Sequence, residues 1–316
     1  MKKKVVVIGG GNGSAISIVA LKQNLDLFDI SAVIAMSDSG GSSGRLRQKY
    51  NILPPGDVLR AALAMSSFDY PVLKKIFYGN RFFGLDELDG HNLGNLFVLS
   101  AWQISGDFIK SLRALEQGVE AVGKVYPNFL DPSHICVELF NGDIVKTDEL
   151  IDKPKYDRSL KIKKIYLDPE VTVYEEAIKV ILEADYIIFG PGSLYTSVIA
   201  TILPKGVKKA IDNNKKAKLI YVVGNAYHTN GETGPDDVAG CVRALENYLP
   251  RSLDLVIYSG NKLTEQQKQK YDTKGWSLLI DNGDLLGDQL LRAPYEKDNG
   301  GVCSIKLGKI LKEVCK

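Results

Sequence analysis

Metal cages and covalent cross-links have little to work with in this 316-residue chain, which holds four cysteines and three histidines. Cys136, Cys241, Cys303 and Cys315 are scattered, form no CxxC pair and share no zinc-like spacing with any histidine. They read as free thiols of a reducing compartment. An excess of one charge is missing too: 40 lysines and arginines nearly cancel 38 acids, for a net charge of +2. That balance excludes a general nucleic-acid or membrane-surface binder and leaves room only for a local basic patch. No stretch approaches the ~20 apolar residues of a membrane span. The start, Met-Lys-Lys-Lys and then Val5–Ile8, has too short an apolar run for a signal peptide, and glycines follow where a cleavage site would stand. These absences predict a cytoplasmic protein with no membrane insertion and no nucleic-acid partner.

What the chain does have is glycine, 30 residues of it, much of it placed directly after short apolar runs. Val5–Ile8 reads as a buried parallel strand, Gly13–Leu25 as a helix and Ile30–Met36 as a second strand. Ser37–Arg45 reads as a loop. Pro54-Pro55-Gly56 leads into a helix with Asp57 in its first turn, where the helix dipole favours an acid. Asn92–Ile104 and Phe108–Leu115 are two further helices. His134–Phe140 and Asp143–Lys146 form a hairpin about Asn141-Gly142, which suits a type I′ turn, and Lys161–Leu167 adds an alternating strand. The basic stretch Lys153–Lys164 reads as a solvated edge guarded by lysines. From Tyr174 the alternation resumes: helix Glu175–Leu182, strand Asp185–Phe189, helix Leu194–Ile202, strand Lys218–Val223, helix Pro235–Leu249, strand Leu253–Tyr258, helix Ile305–Val314. This rhythm predicts an α/β fold, a mostly parallel sheet covered on both faces. It predicts a single domain over residues 1–316 with a β-rich insertion near 123–168, as a subdomain or an extra sheet edge.

Several predicted strands run into small polar tips: Gly9-Gly10-Gly11, Ser37-Asp38-Ser39-Gly40, Gly190-Pro191-Gly192-Ser193, Gly224-Asn225 and Ser259-Gly260-Asn261. In a parallel sheet these tips share one edge, where ligands bind. Bared amides and the N-termini of the following helices favour an anion there, and Ser14, Ser39 and Ser193 add hydroxyls. The dinucleotide fingerprint is not met: counted from Gly9 its third glycine is Ser14, and from Gly11 it is Ile16. No G-K-[ST] follows, so there is no P-loop. Asp38 either binds a metal ion or ligand hydroxyl or closes an Asx turn. Arg45 suits a phosphate, whereas Arg47 reads as a solvated helix arginine. Asn92 and Asn95 share a helix face. His91 is either a general acid or base or a structural cap. His134 and His228 lack partners at metal spacing.

These blocks, "VVVIGGGNG", "SDSGGSSGRLR", "LPPGDVLRAALA", "GHNLGNLF" and "ADYIIFGPGSLYTSVIATIL", resemble the YvcK-type gluconeogenesis-factor family of the CofD-like superfamily, whose namesake is 2-phospho-L-lactate transferase. They stand in family order from residue 4 to about 225. The resemblance implies a Rossmann-like three-layer α/β/α fold and binding of UDP-activated sugars, linked to carbon metabolism, cell shape and envelope synthesis. It implies that Gly10, Gly11, Asn12 and Gly13 contact a nucleotide diphosphate and that Ser37, Asp38, Ser42, Ser43 and Arg45 line the second loop. Asn92 and Asn95 then face the ligand, and Gly190, Gly192 and Ser193 close the pocket, with Asn225 at the next tip. Three departures stand out. Asn12 replaces the usual Thr, and Asp38-Ser39 replaces a paired acid. Ala226–Asn230 differs from the family before Gly231-Glu232-Thr233. The expected function is a UDP-sugar-binding regulatory protein, with no certain cofactor. The alternative is a CofD-like transferase that cleaves a nucleotide phosphoanhydride to move a phospholactate-like group. In that alternative Asp38 places Mg²⁺ and Asn92 or His91 steers the acceptor. A homodimer is left open.

Overall fold

A computed structural model describes every residue from Met1 to Lys316 except Asn261, so of the last strand tip only Ser259 and Gly260 lie within the described residues. The first half contains β1 (Lys3–Gly9), α1 (Gly11–Lys22), β2 (Phe28–Ile34), α2 (Gly41–Tyr50), α3 (Gly56–Met65), α4 (Tyr70–Leu73), α5 (Leu93–Ser105), α6 (Phe108–Gly118) and β3 (Lys124–Pro127). Then come β4 (His134–Leu139), β5 (Ile144–Lys146), α7 (Asp148–Asp152) and β6 (Ile162–Asp168). The second half holds α8 (Glu175–Glu183), β7 (Tyr186–Phe189), a π turn at Leu194–Ile199 running into α9 (Ala200–Ile202), α10 (Val207–Asn213), β8 (Lys218–Val222) and β9 (Ala226–His228). It closes with α11 (Val238–Glu246), β10 (Leu255–Tyr258), α12 (Glu265–Lys274), β11 (Trp276–Leu278), β12 (Leu290–Arg292) and α13 (Ser304–Val314).

Seven strands make one sheet in the order β12-β10-β8-β7-β1-β2-β3, every pairing parallel. The chain enters at β1 and steps outward through β2 to β3. It then returns to pair β7 against the free flank of β1 and steps the other way to β12. Right-handed crossovers therefore put the two sets of helices on opposite faces, giving three layers. On one face α1 packs between α3 and α13; on the other α8 packs against α10. Val5–Ile8 are fully buried, which is why β1 reads as an unbroken β-branched run rather than an alternating one. α1 and α13 approach closely: a Cβ on Gly308 would stand 2.6 Å from the Ala20 carbonyl oxygen.

Two local expectations are corrected, and the β-rich insertion divides between a sheet edge and a sheet of its own. The serine- and glycine-rich stretch after β2 is a loop only to Gly40; α2 begins at Gly41. Composition misleads here because a Cβ on Gly44 would overlap the Ser39 carbonyl, so the glycine serves a tight helix start. The hairpin between β4 and β5 exists, but its turn is not type I′. Positive φ occurs at Gly142 and not at Asn141, and the Gly142 N–H donates to the Leu139 carbonyl, the pattern of a longer loop closed by a glycine bulge. Residues 124–127, grouped with the β-rich insertion by sequence, are the edge strand of the large sheet. β5-β4-β6 form a separate antiparallel sheet, and β11 pairs antiparallel with β9 in a second, two-stranded one.

Candidate functional site

The strand order reverses between β1 and β7, and there the carboxyl ends of adjacent strands part to leave a crevice. A cleft of about 360 Å³ fills it. The β1 tip supplies Gly10–Gly13, the β2 tip Ser37 and Asp38, and the β7 tip Gly192, Ser193, Thr196 and Ser197. α3 adds Asp57 and Arg60, and α7 adds Asp148 and Asp152. At Gly192 and Ser193 the cleft meets a second lobe of about 550 Å³ that also touches Asp152 and is walled by Tyr227, His228, Glu232, Trp276 and Leu279. The first lobe is polar and acidic; the second is aromatic.

The glycines of the β1 tip first accommodate the protein itself. Gly11 has φ +60, and a Cβ on Gly13 would overlap the Pro191 carbonyl. A Cβ on Gly10 would lie 2.6 Å from Asp57 Oδ2. The amides expected to await an anion are in large part already taken by side-chain carboxylates. Gly11 N–H donates to Asp57 at 2.9 Å, Ser39 N–H to Asp148 at 2.7 Å and Gly40 N–H to Asp38 at 3.0 Å. The Leu194, Tyr195 and Thr196 amides all donate to Glu232, Leu194 at 2.6 Å. The helix start beyond β7 therefore already carries an acid, from Gly-Glu-Thr thirty-eight residues downstream.

Charge is unevenly settled. Asp57 pairs with Arg60 at 2.6 Å, both side chains nearly buried. Among the described residues Asp38, Asp148 and Asp152 have no cationic side chain at ion-pair distance. Burial, with the charges of Asp57 and Asp148, pushes the Asp38 carboxyl up to about 7. Burial raises Asp148 to about 6 against the hydrogen bonds from Ser39, and raises Asp152 to about 6 against the Thr196 hydroxyl. Burial and the Asp152 charge push Glu232 up to about 8 despite its amide donors. An acidic lobe with too few cations is a place that a cationic species completes.

A family model for the 2-phospho-L-lactate transferase CofD matches residues 5–286. The chain belongs to the CofD family. Within that family it is 35% identical over 292 residues to the putative gluconeogenesis factor of Thermotoga maritima, an alignment covering 92% of this chain and 90% of that one. It is 34% identical over 274 residues to the gluconeogenesis factor of Bacillus subtilis, covering 86% of this chain and 83% of that one. A crystal structure of a Bacillus halodurans protein matches it along 100% of both chains, with a TM-score of 0.88 at 30% identity. The CofD-like, YvcK-type gluconeogenesis-factor resemblance read from the sequence blocks is thus the family of the chain.

In this CofD-family chain the sequence-predicted residues divide three ways. Gly10–Gly13, Ser37, Asp38, Gly192 and Ser193 meet in the polar lobe. One Asp38 oxygen closes the Asx turn with Gly40 N–H, and the residue also lines the cleft. Ser42, Ser43 and Asn95 line a smaller cavity beside it. Others lie elsewhere. Arg45 is exposed and donates to the Asp89 carbonyl at 2.7 Å. Arg47 is half-buried, not solvated, and donates to the Ser133 carbonyl. Asn92 caps α5 by accepting the Asn95 amide at 2.8 Å. His91 is buried against Ser42 at 2.8 Å, and burial with the charges of Arg45, Arg81 and Lys49 lowers its pKa. Asn225 donates to Glu296, Gly190 accepts from Ser17 at 2.7 Å, and Ser14 bonds within α1. Sequence reasoning missed Arg60, Asp148, Asp152 and Glu232 as site residues and placed Asp57 only as a helix-start acid. The i, i+4 spacing of Asp148 and Asp152 was the one available signal. Among the described residues no helix is long and apolar enough to cross a membrane.

Proposed function

We propose that this chain binds a nucleotide-diphosphate sugar, uridine-linked, across the two lobes and acts as a regulatory protein of carbon metabolism and of cell shape and envelope synthesis. The observation that carries the reading is the joined pair of lobes at the strand-order reversal, one polar and one aromatic, meeting at Gly192 and Ser193. The diphosphate lies in the polar lobe over the unclaimed Asn12 and Gly13 amides and the Arg60 guanidinium. The base and sugar lie against Tyr227 and Trp276.

The carboxylates of the polar lobe repel a diphosphate unless a cation stands between them. Among the described residues no three metal-ligating side chains converge into a cage. Mg²⁺ is commonly held by one or two carboxylates together with phosphates and water. The donor set therefore fits an ion that arrives with the diphosphate, held by Asp38, Asp148 or Asp152. Such an ion neutralises charge and polarises a phosphoryl oxygen.

Calorimetry with UDP-glucose, UDP-N-acetylglucosamine and GDP-mannose, in Mg²⁺ and in EDTA, tests this. Uridine ligands are expected to bind in Mg²⁺ and to weaken at least tenfold in EDTA. Failure of every uridine ligand to bind at millimolar concentration in Mg²⁺ rejects the reading.

One observation favours a second reading, a CofD-like transferase. Asp38, Asp148 and Asp152 have carboxyls raised to about 7, 6 and 6, close to the working range of a general base. They reach the lobe from two elements, Asp38 from the β2 tip and Asp148 and Asp152 from α7, and so offer in space the second acid missing from the β2 tip. Mg²⁺-dependent release of a nucleoside monophosphate, lost in Asp38→Asn, supports it. Binding without turnover across an acceptor panel favours the regulatory reading.

A further inference from the structure

Beside the polar lobe, behind Asp38 and Arg60, lies a cavity of about 180 Å³. It is smaller than the usual range for whole metabolites and has room for one phosphoryl group with water. Its floor is the N-terminus of α2, a ten-residue helix. The first intrahelical bond there runs from Gly44 N–H to the Gly40 carbonyl. The Gly41, Ser42 and Ser43 amides therefore have no helical acceptor, and among the described residues no side chain takes them. Space beside Gly41 is open: a Cβ there would meet nothing within 4 Å.

Two further features point at the same spot. Asn95 is 1% exposed and lines the cavity, and its Oδ1 has no partner while its Nδ2 donates to Ser42 at 2.9 Å. That oxygen is an acceptor and calls for a donor, which a turned amide finds in the serine hydroxyls, leaving N–H groups that need an acceptor in the cavity. Because Ser42 and Ser43 hydroxyls both donate and accept, the amide can turn and offer its N–H groups to the cavity. The second feature is Arg81, which spends Nη1 on the Gly90 carbonyl at 3.0 Å and pairs with no carboxylate among the described residues. The Tyr78 ring carries Arg60 at 4.6 Å and Arg81 at 5.4 Å, holding both guanidiniums at the cavity. Asp38 is its one acidic wall, with Oδ1 already bonded to Gly40 N–H.

We propose that this cavity is a second anion subsite, taking the terminal phosphoryl group of a small phosphorylated metabolite on the Gly41–Ser43 amides, Asn95 and Arg81. Three amides at a helix start grip tetrahedral oxygens, and an arginine adds a charge-assisted pair. The inference does not rest on the nucleotide reading, since none of its three contacts lines the polar lobe. It gives the chain two ligand positions separated by the Asp38–Arg60 wall, so a second metabolite can be sensed, or presented as an acceptor, beside the first.

Inorganic phosphate is the probe, titrated into the full chain by calorimetry and by ¹⁵N spectra. Phosphate is expected to bind at millimolar concentration and to shift the Gly41, Ser42 and Ser43 amide signals. Arg81→Gln is expected to weaken it tenfold or more, with partial recovery in Arg81→Lys. UDP-glucose affinity is expected to be the same in Arg81→Gln and wild type, and phosphate is expected to bind with UDP-glucose present. No phosphate binding, unaltered binding in Arg81→Gln, shifts confined to Asn12 and Gly13, or displacement of phosphate by UDP-glucose each overturns the proposal. Failure of every uridine ligand to bind, with phosphate behaviour intact, rejects only the nucleotide reading.

Discussion

At the scale of single residues, Asp57 holds the α1 start and a nearly buried arginine together, through Gly11 N–H at 2.9 Å and Arg60 at 2.6 Å. Removing one partner of such a pair strands the other charge. Asp57→Ala is therefore expected to cost about 3 kcal/mol in urea denaturation, and Asp57→Asn less, because the amide still accepts from Gly11. The raised acids give a pH dependence with a definite sign. Unfolded aspartates and glutamates ionise near ~4, whereas folded Asp38 and Glu232 do so at about 7 and about 8. Between those values the folded state holds more protons than the unfolded one, so stability falls as pH rises. His91 and His134 have lowered pKa values, burial being the main cause. They act in the opposite sense, but only below about 6.5, where unfolded histidine protonates. Ligand-free Tm is thus expected to fall from about pH 6.5 to about pH 8.5. Asp38→Asn and Glu232→Gln should flatten that slope; a wild-type Tm level across the window contradicts the assignment.

At the scale of elements, the helix start beyond β7 depends on a side chain from another segment. Glu232 satisfies the Leu194, Tyr195 and Thr196 amides, so Glu232→Ala is expected to lose about 2 kcal/mol in thermal or urea unfolding, at the upper end of cap losses. Glu232→Gln keeps an acceptor and should lose less than half of that. This contact also marks the limit of what sequence could reveal. Apolar runs and glycine tips make β1, β2, β7 and β8 legible, because a strand buried on both faces must be apolar and its exit must turn sharply. Glu232 was invisible as a site residue, and Asp148 and Asp152 were marked only by their i, i+4 spacing, because little local distinguishes an acid that points into a cleft from one that points into water. The α2 start was hidden for a related reason: Gly40-Gly41-Ser42-Ser43-Gly44 has loop composition, and only the Ser39 carbonyl beneath Gly44 explains the glycines as helix packing. Arg47 reads as solvated in the sequence but is half-buried, since arginine stems cover apolar surface as readily as they reach solvent.

At the scale of the whole molecule, a ligand that spans both lobes joins tips from both halves of the sheet and stabilises the fold as a unit. At 100 times its dissociation constant it adds about 2.7 kcal/mol. A chain of this size should then gain several degrees in Tm, roughly 2–4 °C per kcal/mol. The gain with UDP-glucose is expected in Mg²⁺ and to shrink in EDTA; an equal shift in both media argues against a cation between ligand and acids. The parallel α/β fold was legible because alternation of strand and helix leaves few topologies once crossovers must be right-handed. Which strands border the cleft was legible only in part, since pairing of β1 with β7 is a long-range choice that no local pattern encodes.

That pairing sets an order of events during synthesis. Val5 lies opposite Tyr186, so one wall of the crevice is made long before the other exists. A ribosome-bound fragment ending before the β7 tip has emerged contains every glycine of the β1 tip and still lacks the seam in which a ligand could lodge. Loop closure over so long a span is slow, so recognition competence arises late, as a property of the finished chain and of no earlier stage.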